Sequence, residues 1–184
     1  MIDTERNLAA LCTQGGPAAE KELYLRYAAK IHAVCRRYSD SADDALDLMH
    51  DAFIKAYDKL PGFRYSGEGS LYAWLRRLTV NLALDRLRRK RLRLVPLDER
   101  GVDAAPDPPD EAMAALPLEK MLDLVASLPP ERKAVFNLYC LDGWSHREIA
   151  DRLGITEKGS ASLLAQARKQ LKEKIKDYLA THER

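Results

Sequence analysis

The second half of the chain contains SHREIADRLGIT, residues 145–156. Ser145 and Glu148 have the spacing of a capping box, in which each residue's side chain bonds the other's backbone N–H at the start of a helix. Gly154 can take the left-handed conformation that ends such a helix, and Ile155-Thr156 then lead into another. The segment therefore predicts a helix-turn-helix, with an ordinary helical hairpin as the alternative.

The rest of the 184-residue chain has the same helical character. Apolar residues recur at helical spacing nearly everywhere, and alternating β-branched runs are absent, so the predicted fold class is all-α. At 46% hydrophobic and 32% charged, the chain is too polar for a membrane protein. Its longest uncharged run, residues 7–19, is too short to span a bilayer, and the residues before it lack the pattern of a signal peptide. We expect no membrane insertion and a cytoplasmic location.

A proline-rich segment separates two helical blocks. Five of the nine prolines lie in residues 94–117, together with six acidic residues and one arginine. Proline at this density prevents helix propagation and favours an extended linker. The sequence predicts two small helical domains, residues 1–93 and 118–184, joined by an acidic, Pro-rich linker at 94–117.

The first block has a helix with an acidic face. Ser41 is its expected N-cap, and the helix is expected to end at Pro61-Gly62. The inward stripe is expected to hold Leu46, Met49, Phe53, Ala56 and Leu60. The other face carries Asp44, Asp47, Asp51 and Asp58, with Leu48 beside them. Apart from Lys55, no lysine is interleaved with these acids at four-residue spacing to pair with them. The face therefore favours a basic partner over a solvated surface.

A loop at residues 63–70 follows, with two aromatics, an arginine, two glycines and two serines. The next helix runs from Leu71 to about Leu92, and its polar stripe consists of Arg77, Asn81, Asp85 and Arg88. Six basic residues crowd its end: Arg86, Arg88, Arg89, Lys90, Arg91 and Arg93. Guanidinium groups bind phosphate oxygens in pairs, and aromatic side chains stack on unpaired bases. The loop and the helix together predict a nucleic-acid site.

These segments together resemble a known family, the bacterial RNA polymerase sigma factors of the sigma-70 family, extracytoplasmic-function (ECF) group. Residues 47–53, DLMHDAF, resemble its polymerase-binding motif, with His50 in place of a usual glutamine. Residues 63–70, 74–78 and 81–89 are similar to the segment that melts and reads the promoter minus-ten element. Residues 128–136 and 143–155 are similar to the domain that reads the minus-thirty-five element. The resemblance covers nearly the whole chain.

The resemblance implies three sets of contact residues. Those expected to bind core RNA polymerase are Asp44, Asp47, Leu48, His50, Asp51 and Phe53. Those expected at the minus-ten element are Phe63, Arg64, Tyr65, Ser66, Ser70, Arg77, Asn81, Arg88 and Arg89. Those expected at the minus-thirty-five element are Arg147, Lys158, Ser160, Ser162, Gln166, Arg168 and Lys169. The implied partners are core polymerase, promoter DNA and an anti-sigma factor or another recruiting protein, with no metal, cofactor or catalytic group.

The second helix of the helix-turn-helix departs from the family pattern. Ala161, Leu163 and Gln166 stand where the family tends to place basic side chains. Each bidentate base contact is worth about 1–3 kcal/mol, so the absence of two or three would weaken minus-thirty-five binding severely. Our hypothesis is that the domain reads this element poorly and that a second protein, docking around Ala161, Leu163 and Ala165, brings the polymerase to its promoters.

Two other functions compete with this interpretation. A free-standing helix-turn-helix regulator would need only residues 145–170 and would leave the first block unexplained. An HD-type metal phosphohydrolase could draw its ligands from His32, Asp47, His50, Asp51 and Asp85. His50 and Asp51 are adjacent on one helix, and His32 and Asp85 have no supporting motif, which argues against a metal site.

Overall fold

The computed structural model describes residues 4–92 and 116–182. Every regular element in these two ranges is helical, which confirms the all-α prediction. Contacts along the chain divide it into two compact units, Met1–Asp85 and Arg86–Arg184. Most of the predicted linker, together with Arg93, lies outside the described residues.

The first unit is built from four helices, the last of which continues past the unit's boundary. They are α1 (Glu5–Gln14), α2 (Pro17–Tyr38), α3 (Ala42–Lys59) and α4 (Ser70–Leu92). A 3₁₀ turn, Leu60–Gly62, follows α3 directly. The predicted N-cap of α3 is confirmed, because the Ser41 hydroxyl accepts a hydrogen bond from the Asp44 N–H at 3.1 Å.

The core of this unit lies where α1, α2, α3 and the start of α4 meet. Its largest fully buried side chains are Leu8, Leu23, Ile31, Leu48, Leu60, Leu71, Leu75 and Leu84. Aromatic contacts join α2 to α3, where the Tyr24 and Phe53 ring centroids are 4.9 Å apart. Deep apolar burial of this kind, rather than helix propensity, holds short helices in place.

The second unit contains α5 (Leu118–Ala126), α6 (Pro130–Phe136), α7 (His146–Leu153) and α8 (Glu157–His182). A π-helical turn, Asn137–Leu141, links α6 to the segment before α7. The long helix α8 packs against α5, α6 and α7, and Leu138, Ile149, Leu171 and Ile175 form the centre of that packing. In the described parts of both units, no helix is long and apolar enough to cross a membrane.

Candidate protein and nucleic-acid interfaces

One face of α3 is exposed and acidic, as predicted. Asp44, Asp47, His50, Asp51 and Asp58 all lie at the surface. The acidic side chains follow one another at steps of three, four and seven residues, so they lie in a stripe on one side of the helix. Such a stripe attracts a positively charged partner and speeds its encounter.

Two residues predicted to bind a partner on α3 lie in the core instead. Leu48 and Phe53 are each only 2% exposed. The buried stripe consists of Ala45, Leu48, Met49, Ala52, Phe53, Ala56 and Leu60. Leu46, predicted to be inward, lies off this stripe and is 41% exposed. The inward positions predicted for Met49, Phe53, Ala56 and Leu60 are confirmed, and the error lies in exchanging Leu46 for Leu48, two residues that are equally apolar.

The acidic face also carries an apolar residue that was not predicted. Ile54 is 61% exposed. It follows His50 by four residues and Asp51 by three, and it precedes Asp58 by four, so it lies in the middle of the acidic stripe. This spacing was visible in the sequence. An exposed apolar side chain ringed by charges is typical of the centre of a protein interface.

The loop at 63–70 has a defined shape. The Phe63 ring packs on Trp74 of α4 with centroids 5.2 Å apart, and both aromatics of the loop are half-buried. The Ser66 N–H donates to the Ser70 hydroxyl at 3.3 Å. Gly67 and Gly69 have positive φ angles, which side chains at those positions would strain. Arg64 and Ser66 remain exposed.

The basic stripe of α4 is at the surface where it can be described. Arg77, Arg88 and Arg89 are exposed, and Asn81 is half-buried. Exposed arginines on one helix suit contacts with a phosphate backbone. The loop runs directly into this helix, whose first residue is Ser70, so the aromatic loop and the arginines belong to one continuous segment.

The helices α7 and α8 form the predicted helix-turn-helix. The Ser145 N–H donates to the Glu148 carboxylate at 2.8 Å, and the Glu148 N–H donates to the Ser145 hydroxyl at 3.3 Å. Gly154 has a φ of 67°, in the left-handed region, and its N–H donates to the Ala150 carbonyl. The capping box and the glycine stop are both confirmed.

Several residues expected to contact DNA from α8 instead hold the domain together. Ser160 is fully buried, with its hydroxyl 3.0 Å from Nδ1 of His146. Ser162 is 8% exposed, and its hydroxyl accepts from Nε2 of Gln166 at 3.2 Å. Both serines are predicted at the DNA surface and are buried instead, and Ser160 is small enough to fit where α8 approaches His146 of α7. Arg147, Lys158 and Lys169 are exposed.

An arginine outside the predicted sites binds two glutamines of α8. Arg132 of α6 donates from Nη2 to the Gln166 side-chain carbonyl at 2.8 Å and from Nη1 to that of Gln170 at 2.9 Å. The planar guanidinium can make two such bonds at once. The oxygen and the nitrogen of the Gln166 amide thus each make a hydrogen bond within the chain. Leu163 is half-buried, consistent with its predicted place beside the inner stripe.

A second polar cluster surrounds the π-helical turn. The His146 ring stacks on Tyr139 at 4.5 Å between centroids, and the half-buried Arg168 guanidinium lies 6.0 Å from the Tyr139 ring. Burial lowers the pKa of His146, and the charge of Arg168 lowers it further, while Glu157 opposes the shift. Arg168 is thus packed against its own domain.

The residues named for a metal phosphohydrolase are not grouped as such a site requires. Within residues 4–92 and 116–182, no three His, Cys, Asp or Glu side chains come together as metal ligands would. The structure therefore gives that alternative no support.

Models of known protein families match two segments of the chain. The model of Sigma-70 region 2 matches residues 23–93, and the model of Sigma-70, region 4, matches residues 118–171. A solved sigma factor, RpoE of Bartonella quintana in complex with the anti-sigma factor NepR, shares the fold, with a TM-score of 0.51 and 22% identity. That likeness covers 85% of this chain and 96% of RpoE.

Two of the relatives named here match over most of their own length. The ECF RNA polymerase sigma-E factor of Haemophilus influenzae is 30% identical over 183 residues, which cover 94% of this chain and 95% of the relative. SigM of Mycobacterium tuberculosis is 30% identical over 179 residues, which cover 97% of this chain and 87% of SigM. SigE of Mycolicibacterium smegmatis is 32% identical over 88% of this chain, which spans only 62% of that relative. The chain belongs to the ECF group of the sigma-70 family of RNA polymerase sigma factors.

Proposed function

We propose that this chain binds core RNA polymerase through the acidic face of α3 and opens promoter DNA with the 63–70 loop and α4. The observation that carries the proposal is the exposed acidic stripe centred on Ile54, within and just after the DLMHDAF segment. Charge would steer the stripe to a basic partner surface, and burial of Ile54 would stabilise the complex. Leu48 and Phe53 act indirectly, by fixing the helix in the core.

Promoter opening is assigned to the segment from Phe63 to Arg89. Phe63, Arg64, Tyr65, Ser66 and Ser70 would surround a base of the separated strand, and stacking worth about 1–3 kcal/mol per base offsets much of the cost of unpairing it. Arg77, Asn81, Arg88 and Arg89 would contact the phosphates and base edges that flank it. The protein itself supplies no catalytic group in this proposal, since the polymerase performs the chemistry.

The proposed domain division is 1–93 for polymerase binding and minus-ten DNA, 94–117 for the linker, and 118–184 for minus-thirty-five DNA. The family models, which match 23–93 and 118–171, support it. In the last domain, Arg147, Lys158 and Lys169 are the exposed basic groups available to DNA phosphates. We place the protein in the cytoplasm, where core polymerase and the chromosome are.

A further partner is proposed for the second domain, either an anti-sigma factor or another recruiting protein. Ser160 and Ser162 are buried and the Gln166 amide is occupied, so α8 offers few groups for reading bases. Ala161, Leu163 and Ala165 are half-buried and present some apolar surface. A protein bound there would supply the promoter selectivity that α8 lacks.

The test of the proposed function is reconstitution with core RNA polymerase from the same organism. We expect the chain to co-elute with core polymerase and to create new transcription start sites on genomic DNA, each preceded by a shared minus-ten element. A free-standing helix-turn-helix regulator would instead bind DNA without polymerase and create no start sites. The strongest promoter recovered this way serves as the DNA probe in the experiments below.

A further inference from the structure

The N-terminal helix α1 contains a buried carboxylate that none of the predicted sites uses. Glu5 is only 5% exposed. One carboxylate oxygen accepts from the Tyr27 hydroxyl of α2 at 2.9 Å, and the other accepts from the Leu71 N–H of α4 at 2.9 Å. Glu5 therefore joins three helices, and it lies outside the residues that match Sigma-70 region 2.

The Leu71 N–H is one of the groups that a helix cannot satisfy by itself. The first N–H groups of an α-helix have no partner in the helix, and a carboxylate there also stabilises the positive end of the helix dipole. A residue just before the helix usually provides this cap. Here that residue is Gly69, which has no side chain, and the hydroxyl of Ser70 accepts from the Ser66 N–H inside the loop. Glu5 supplies the cap from 66 positions away.

The helix α1 also contacts the loop region elsewhere. The Arg6 guanidinium lies 6.0 Å from the centroid of the Tyr65 ring, in the middle of the loop. The same helix packs against the Leu60–Gly62 turn, immediately before the loop begins. Contacts from α1 thus fall before, within and just after residues 63–70.

Tyr27 fixes the carboxylate from the other side. Burial and the hydrogen bond to Glu5 both raise the pKa of Tyr27, so its hydroxyl stays protonated and remains a donor. Its ring stacks on Tyr72 in the first turn of α4, with centroids 5.8 Å apart. The start of α4 is therefore held by a hydrogen bond to the backbone and by a ring contact one residue later.

We propose that α1 positions the 63–70 loop for promoter opening, with Glu5 and Arg6 as the positioning residues. The inference rests on the proposed function of that loop. It assigns a role in strand opening to a helix that is remote in sequence from the DNA-contacting segment. Loss of the Glu5 cap releases the start of α4 and the loop, while the α3 face that docks on polymerase keeps its own N-cap, Ser41.

The test compares docking with opening in the reconstituted holoenzyme. Three quantities are measured for each variant: affinity for core polymerase, affinity of the closed promoter complex, and the rate at which thymines become reactive to permanganate. We expect Glu5→Ala to slow opening tenfold or more and to change both affinities less than twofold. Arg6→Ala, at an exposed residue whose replacement leaves the core intact, should slow opening two- to fivefold.

A conservative variant and a control separate positioning from general damage. Glu5→Gln keeps a carbonyl for the Leu71 N–H and gains an amide that can donate to the Tyr27 oxygen, so it should restore most of the opening rate. Glu22→Ala removes a carboxylate that pairs with Arg26 at 3.1 Å on α2 and should open at the wild-type rate. A promoter pre-melted at the minus-ten element should reduce the Glu5→Ala defect.

Two results would overturn the inference while leaving the proposed function intact. One is a Glu5→Ala variant that loses core binding, closed-complex binding and opening to the same extent, with no rescue by Glu5→Gln. The other is wild-type opening by Arg6→Ala when Glu5→Ala does not fold, because the contacts of α1 would then be structural only. If the wild-type chain fails to bind core polymerase, the proposed function fails, and the inference fails with it.

Discussion

Arg132 and Gln166 are joined across α6 and α8 by a hydrogen bond of 2.8 Å between Nη2 and the amide carbonyl. The amide nitrogen of Gln166 is itself bound to Ser162 at 3.2 Å. An adenine edge would compete with both partners for the orientation of the Gln166 amide. Gln166 and Arg132 are half-buried, and partly desolvated polar groups left unpaired are costly, so this glutamine favours its contacts within the domain.

The first prediction is that transcription depends weakly on the minus-thirty-five sequence. Scrambling that element should reduce the initiation rate of the reconstituted holoenzyme only two- to threefold, because α8 offers few free groups for reading bases. Scrambling the minus-ten element of the same promoter is the control and should abolish initiation. A tenfold or greater loss from the minus-thirty-five change, about 1.4 kcal/mol, would show real sequence reading by this domain.

A second prediction separates the core of α3 from its docking face. Leu48→Ala should lower the free energy of unfolding by about 2–5 kcal/mol, since the side chain is buried. Ile54→Ala should change stability by no more than about 0.5 kcal/mol and yet weaken binding to core polymerase about tenfold. Urea unfolding and a binding titration measure the two effects. Normal core affinity for Ile54→Ala would remove Ile54 from the interface.

The helix α3 shows which features of the structure the sequence predicts and which it does not. Its N-cap and exposed acids follow from local chemistry and were predicted, as were the capping box and the glycine stop of the helix-turn-helix. The burial of Leu48 in place of Leu46 is not predicted, because the two are equally hydrophobic and only packing chooses between them. An apolar stripe defines a face to within about one residue, which is too coarse to assign contact residues.

The sequence does not predict the contacts between segments that are distant along the chain. Nothing near Glu5 or Arg132 in the sequence indicates their partners, since charged residues are common in helices and most of them face solvent. Glu5 meets Leu71 across 66 positions, and Arg132 meets Gln166 across 34. Burial of Ser160 was equally hidden, because serine occurs both at DNA interfaces and at close helix contacts. Tertiary packing decided all three.

The third prediction concerns the arginines of α4. Replacing Arg88 and Arg89 with glutamine should weaken promoter binding by similar factors on different sequences. It should also reduce the slope of log affinity against log salt by about 0.9 for each phosphate that the variant no longer neutralises. Arg36→Gln, at an exposed arginine on α2, is the control and should keep the wild-type slope. An unchanged slope in the double variant would mean that these arginines only face solvent.

The fourth prediction is a pH dependence of the second unit's stability. The pKa of His146 is lowered from its ordinary 6.5, so below this pH the unfolded chain takes up a proton that the folded domain resists. The stability conferred by neutral His146 is therefore present above about pH 6.5 and is lost as the pH falls. Urea unfolding followed by Trp144 fluorescence, in a Trp74→Phe background, measures it.

The variant His146→Gln supplies the comparison for this prediction. Glutamine can still bond the Ser160 hydroxyl but does not titrate. The unfolding free energy of the His146→Gln variant should therefore fall less than that of the parent protein between about pH 7.5 and about pH 5.5. Identical losses in both proteins would show that other groups cause the acid sensitivity.

The central claim, that α3 docks this sigma factor on core RNA polymerase, is tested most directly by the affinity of the Asp47→Lys, Asp51→Lys variant for core polymerase. Both residues are exposed, so the variant should fold normally, and reversing two charges on the docking face should weaken binding at least a hundredfold. A variant with the same charge change elsewhere, Asp123→Lys, Asp177→Lys, should bind like wild type. Normal affinity of the α3 variant would contradict the docking assignment.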